Sequence, residues 1–435
     1  MANTQVDSIA VGLLSTIVIT ASMMFDMEAA ILSLLVLLIL PSPLVSEENK
    51  LCVLTLIYVG TANLPLNTLV LLAWPVLIRH SRTFQTRNMY FIYYTIGFFL
   101  YSLVILFLTY DQIRIPVGAL FLRNTIKELL YPFLMILVYA NFSGGIKSLY
   151  LVMWRVAVTM VAIGVMLLAF GYEGDVSLFE QAYPIAYVMP AVFLFNRSVR
   201  LLSIVSLLAF AIITLHFGLY ISSGFVVMAA VSLAGSCVIG SHNNIAKVVA
   251  IIAAIVVAGI DYNDLLEVGV PPSLAFKLSL PNTGARILTS GGDVLYDMPW
   301  TLAVRIVETR NVIGDGPLTV LFGKGAYSVV GETVTSYESA TGRTFGDSDY
   351  TAEEEDEGQY YTLHNTSRGL LHYGIIYFIV SIALFLKCKG QIDRDDPSFH
   401  VKMYMAVLFL MQSLWNPYVS SLYLQYWLLA RSKNE

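Results

Sequence analysis

The sequence predicts an all-α polytopic integral membrane protein with about 12–14 transmembrane helices and one large extracytoplasmic insert between late spans. Three observations predict it. Hydrophobic residues make up 57% of the 435 and charged residues only 13%. Apolar runs recur at or near the ~20 residues needed to cross ~30 Å of hydrocarbon. A single long polar stretch, residues 261–367, interrupts them. The chain therefore divides into an N-terminal helix bundle (1–260), the insert (261–367) and a C-terminal group of helices with a short tail (368–435).

In order, the expected spans are residues 8–25, 29–45, 52–79, 90–109, 124–142, 149–170, 184–195, 201–218, 223–241 and 246–260. After the insert come 369–386, 400–415 and 419–430. The first run has no basic leader and no small-residue cleavage site, so it is expected to be a retained span and not a signal peptide. Segment 52–79 is long and contains Pro65, which spans tolerate where neighbouring helices satisfy the freed backbone. Cys52, Cys237 and Cys388 are scattered, without a CxxC pattern, and no structural disulfide is expected.

Lysine and arginine collect at Arg79, Arg82 and Arg87, at Arg197 and Arg200, at Lys387, Lys389 and Arg394, and at Arg431 and Lys433. With the spans above these fall on one side, which the positive-inside rule makes the cytoplasm. Residues 261–368 hold sixteen Asp or Glu against seven Lys or Arg, leaving them nine negative while the remainder is four positive. That split puts the insert outside the cytoplasm. It also excludes a nucleic-acid partner, because a phosphate-tracking surface is basic.

Within the insert, Arg286, Arg305 and Arg310 sit among apolar residues at helical spacing. The stretch from Trp300 to Val307 is expected to form an amphipathic helix along the membrane surface. Leu321-Phe322-Gly323-Lys324-Gly325-Ala326-Tyr327 reads as a glycine-punctuated turn. The run Glu353-Glu354-Glu355-Asp356-Glu357 reads as a solvated, mobile loop, since blocks of like charge repel. The insert closes on His364-Asn365-Thr366-Ser367-Arg368.

Gly323-Lys324-Gly325, then His364-Asn365 about forty residues on, then Gly374-Ile375-Ile376-Tyr377, resembles the bacterial O-antigen polymerase and O-antigen ligase superfamily. These are integral membrane glycosyltransferases acting on undecaprenyl-diphosphate-linked sugars in the periplasm. The resemblance covers the chain from about Leu201 to the C-terminus. Eight residues separate Asn365 from Gly374, one short of the ligase spacing. Where the family carries a Ser-Arg pair, this chain has Ser222-Ser223-Gly224. Both departures favour the polymerases.

The resemblance implies an inner-membrane enzyme that moves a growing glycan from undecaprenyl diphosphate onto a lipid-linked repeat unit, without metal or cofactor. Membrane lipid surrounds it, and a chain-length regulator and a flippase are its implied neighbours. Such chemistry needs a base near neutral pKa and a grip on a departing diphosphate. Histidine and arginine suit these tasks. His364 is the candidate base. Arg286, Arg305 and Arg310 are the candidate diphosphate ligands, with Asn365 and His372 beside them. Arg123 and Lys127, one helical turn apart at the expected start of a span, offer a second docking point. Each has a plainer reading: helix capping for His364 and Asn365, snorkelling for the interfacial cations, and interfacial anchoring for Arg368 and His372. Asp347-Ser348-Asp349 has the spelling of a metal-holding motif but lies in the acidic stretch. Two other functions stay open: a ligase passing glycan to lipid A core, and a transporter.

Overall fold

The computed structural model describes residues 2–24, 45–60, 86–130, 144–173, 199–217, 223–240, 262–269, 300–331, 350 and 352–432, with isolated positions elsewhere. The expected span at 246–260, nearly all of 29–45 and 184–195 and much of 52–79 lie outside them, as do Arg286, the Asp347-Ser348-Asp349 motif and Lys433.

The described chain is mostly helical. In order come α1 (Ala2–Met24), α2 (Glu47–Gly60), α3 (Thr86–Thr109), α4 (Val117–Asn124), α5 (Ile146–Ala169), α6 (Arg200–His216) and α7 (Ser223–Gly240). The insert contributes α8 (Tyr262–Glu267), α9 (Trp300–Gly314), α10 (Pro317–Phe322) and α11 (Ala352–Glu357). It is followed by α12 (Asn365–Gln391), α13 (Phe399–Trp415) and α14 (Val419–Ser432). The strands β1 (Val330–Gly331) and β2 (Gln359–Tyr360) qualify the all-α expectation. They pair antiparallel, Val330 with Tyr360 and Gly331 with Gln359, giving non-helical insert backbone its hydrogen bonds.

Among the described residues, three helices are long and apolar enough to cross a membrane: Tyr90–Gln112, Ile146–Ala169 and Thr366–Gln391. At 17 and 14 residues, α13 and α14 are shorter. α3 turns Leu100, Val104, Phe107 and Leu108 outward, whereas α5 buries Val152, Val156, Met160 and Ile163. α1, α2 and α6 pack on α5, while α7 packs on α13, and α12 packs on α13 and α14. Arg155 lies inside α5 and donates to Asn49 Oδ1 of α2 at 3.2 Å.

Four local expectations need correction. The helical run expected from residue 124 begins at Val117, because Pro116, with φ −59°, is poised to open a helix. Arg123 and Lys127 therefore lie within this run and not at its start. The apolar stripe of α9, with Val304 and Val307 buried, is covered by α12 and not by lipid. The glycine turn starts only at Gly323, since α10 continues through Phe322. The acidic run is not a loop. It forms α11, where fully buried Glu354 accepts hydrogen bonds from the main-chain N–H groups of Tyr361 (2.7 Å) and Thr362 (2.6 Å). These two charge-assisted hydrogen bonds from main-chain donors outweigh the repulsion among its acidic neighbours.

Candidate active site at the start of α12

The Gly323-Lys324-Gly325 turn and α12 are built around each other. Gly374 interrupts α12 with φ +68° and ψ −178°, a left-handed region glycine enters readily. In an unbroken helix the carbonyls of Leu371 and His372 accept from residues 375 and 376. Here they accept from Lys324 N–H (2.6 Å) and Gly325 N–H (3.0 Å) instead. The approach leaves no room for side chains. A Cβ on Gly323 would lie 2.4 Å from the His372 carbonyl, and one on Gly374 would lie 2.4 Å from the Leu321 carbonyl oxygen. Tyr101 of α3 donates to the Gly323 carbonyl at 2.7 Å, Ser102 Oγ accepts from Ala326 N–H at 3.0 Å, and Asn124 of α4 donates to the Ala326 carbonyl at 2.7 Å. Lys324 pairs with Asp315 across the turn.

His364 occupies the N-cap position of α12, but its side chain makes no capping bond. It turns to Glu308 of α9. Its Nδ1 lies 2.8 Å from Glu308 Oε1, and its main-chain N–H donates to Glu308 Oε2 at 3.0 Å. Tyr350 OH donates to Oε1 at 2.8 Å. Glu308 is wholly buried, while the His364 side chain keeps 23% of its exposure. The two elements are pinned beside the pair by Ser367 Oγ, 3.0 Å from Thr309 Oγ1 and 3.3 Å from the Arg305 carbonyl it donates to.

One and two turns along α12, Arg368 and His372 face a different carboxylate. Arg368 Nε lies 3.8 Å and His372 Nδ1 3.4 Å from Glu128 Oε1, and Tyr373 OH donates to Glu128 Oε2. Arg368 also donates to Asn416 Oδ1 at 3.1 Å and to Tyr418 OH, with its guanidinium 5.0 Å over the Tyr418 ring. Glu128 sits in a π-helical turn, Thr125–Leu130, which widens the helix locally. The anchoring reading of His372 is replaced: it is 0% exposed, so its ring meets no headgroup.

The candidates thus separate. Arg305 is half-buried on α9 with its guanidinium 5.7 Å from the Trp415 ring centroid, and its main chain touches the start of α12. Arg310 is exposed, five residues farther and on another face of the helix. His372 joins the buried cluster. Asn365 opens α12, Arg123 lies in α4 and Lys127 in the π-turn, but their side chains lie outside the described set. Exposed His216 ends α6 with its ring edge-on to Phe217.

Two carboxylates were missed in the sequence. Glu308 left a readable signal, an acid within the buried stripe Val304, Val307, Glu308 and Val312. Glu128 left none, because it followed two expected headgroup cations and looked interfacial. Comparison with protein-family models, curated proteins and solved structures gives no match.

Proposed function

We propose that the chain is a polytopic inner-membrane glycosyltransferase that polymerises undecaprenyl-diphosphate-linked oligosaccharides at the periplasmic face. One observation carries this reading. The three landmarks of the family resemblance, far apart in the chain, form one unit in which the Gly323-Lys324-Gly325 turn seals the Gly374 break in the helix that His364 opens. Three apolar helices and an acidic insert support the membrane setting.

In this reaction an acceptor hydroxyl of one lipid-linked repeat attacks the anomeric carbon of the donor glycan. The bond from that carbon to the diphosphate oxygen breaks, and undecaprenyl diphosphate leaves with the electron pair. His364 takes the hydroxyl proton, and Arg305, with Arg286, holds the diphosphate. A single displacement inverts the anomeric centre. No nucleotide-sugar site is required, because the carrier lipid supplies the activated sugar.

The test is extension by the purified full chain in proteoliposomes supplied with extracted lipid-linked repeat units. Glycan should lengthen while still on undecaprenyl diphosphate, and His364→Ala should lower the rate by about 100-fold or more without loss of membrane insertion. A variant extending at near wild-type rate removes His364 from catalysis. Product on lipid A core would identify a ligase.

A second reading is favoured by Glu128, Arg368 and His372. Ionisable groups buried among apolar helices are a feature of transporters. Movement of lipid-linked repeats across the same proteoliposomes without chain growth would establish it.

A further inference from the structure

We infer that Glu308 is the positioning residue of the site: it holds His364 as the Nδ1–H tautomer and so makes Nε2 the basic nitrogen. The inference rests on His364 being the base, but its geometry stands by itself. Glu308 Oε2 meets the main-chain N–H of His364, an obligatory donor, at 3.0 Å. Oε1 meets the Tyr350 hydroxyl at 2.8 Å and His364 Nδ1 at 2.8 Å. A buried carboxylate surrounded by two donors is an acceptor, and the third neighbour completes the set by presenting a proton. The imidazole then carries its hydrogen on Nδ1. Nε2 keeps its lone pair.

The same contacts set the orientation of the ring. The carboxylate grips His364 at both main chain and side chain, and Ser367, bonded to Thr309, fixes where α12 begins relative to α9. When Nε2 accepts the proton of a sugar hydroxyl, the positive imidazolium lies against a buried negative charge. Glu308 touches no substrate atom in this scheme; it acts through His364.

A glutamine at this position cannot reproduce the arrangement. It has one carbonyl oxygen and one NH2 group, so it can accept from the His364 main chain or from Nδ1, but not from both. With its oxygen on the main chain, its NH2 faces Nδ1 and the ring must move its proton to Nε2. With its oxygen on Nδ1, two donors collide at the main chain. Glu308→Gln therefore removes the basic Nε2 at almost unchanged volume, or loosens the start of α12.

The direct measurement is nitrogen NMR of the full chain, labelled with 15N-histidine and held in lipid nanodiscs, with the His364 signals assigned by their loss in His364→Gln. The wild type should show a protonated Nδ1 and an unprotonated Nε2 for the neutral ring. Glu308→Gln should reverse the two or leave a mixture, and should lower the rate of glycan extension about 100-fold with little change in KM. A wild-type ring protonated on Nε2 overturns the inference without any variant having to fold. So does a Glu308→Gln protein with unchanged tautomer and unchanged rate. If the NMR pattern is as expected while no preparation extends glycan, the positioning role stands and the polymerase reading falls.

Discussion

Two carboxylates meet the same helix within three turns, and they have opposite surroundings. Glu308 meets His364 at the first residue before α12, where the ring is partly open to solvent. Glu128 meets Arg368, His372 and Tyr373 farther along, where His372 has no exposure at all. Similar side chains therefore serve different ends. Around Glu308, one buried acceptor orients one accessible ring. Around Glu128, two potential cations share one buried acid, so the cluster joins the π-turn at 125–130 to α12 and its loss leaves Arg368 without its carboxylate.

That contrast can be broken by removing each centre in turn. The largest expected effect on stability is at Glu128. Glu128→Gln leaves Arg368 without its carboxylate beside His372, and breaking a buried pair in this way costs about 3–5 kcal/mol. A thermal unfolding midpoint in detergent several degrees below wild type is expected, whereas Glu308→Gln should fall less. Equal losses at the two positions would erase the distinction.

Gly374→Ala comes next and sharpens it. The new Cβ would meet the Leu321 carbonyl oxygen at 2.4 Å in a left-handed backbone, at a cost of about 2–4 kcal/mol. The Gly323-Lys324-Gly325 turn holds Leu371 and His372, not His364. Hydrogen exchange should therefore quicken around residues 371–376 and the Glu128 cluster while the start of α12 stays protected. Equal exchange at both ends would mean that α12 responds as one rigid rod.

The smallest effect is just beyond the far end of α12, where the partly buried Asp396 supplies a reference. Hydrogen bonds from Lys402 (2.5 Å) and the Ser398 N–H (2.7 Å) hold its carboxyl below the usual range. A depressed folded-state value stabilises above the ordinary carboxylate pKa of about 3.9 and is lost as pH falls through the lower value. Thermal midpoints measured from pH 5 to pH 2 should decline less in Asp396→Asn than in wild type. Identical slopes would remove Asp396 from the acid response.

Much of the architecture was legible because it lies in short windows. The long apolar helices around residues 90–109, 149–170 and 369–386 follow from hydropathy, and α9 follows from apolar spacing. The acidic run 353–357 was misread for the same reason. Window charge signals repulsion but is blind to the donors of Tyr361 and Thr362 that draw Glu354 inward. At the candidate site, His364 stood out through the family resemblance of the His364-Asn365 and Gly374 spacing, joined to the titration range of histidine. Arg305 and Arg310 were indistinguishable, since only the packing of α9 on α12 tells the half-buried one from the exposed one.

By itself the sequence determined a helical, apolar chain, a segregated negative insert and a short list of ionisable residues, because composition and periodicity are local properties. Tertiary structure alone decided which carboxylate each histidine faces. Glu308 and His364 are 56 residues apart, and Glu128 and Tyr373 are 245 apart. A hydrogen bond depends on distance and direction, and no spacing along a chain specifies either across such separations. Gly374 shows both sides of this division. Glycine permits the break in α12, but the turn at Gly323 occupies it.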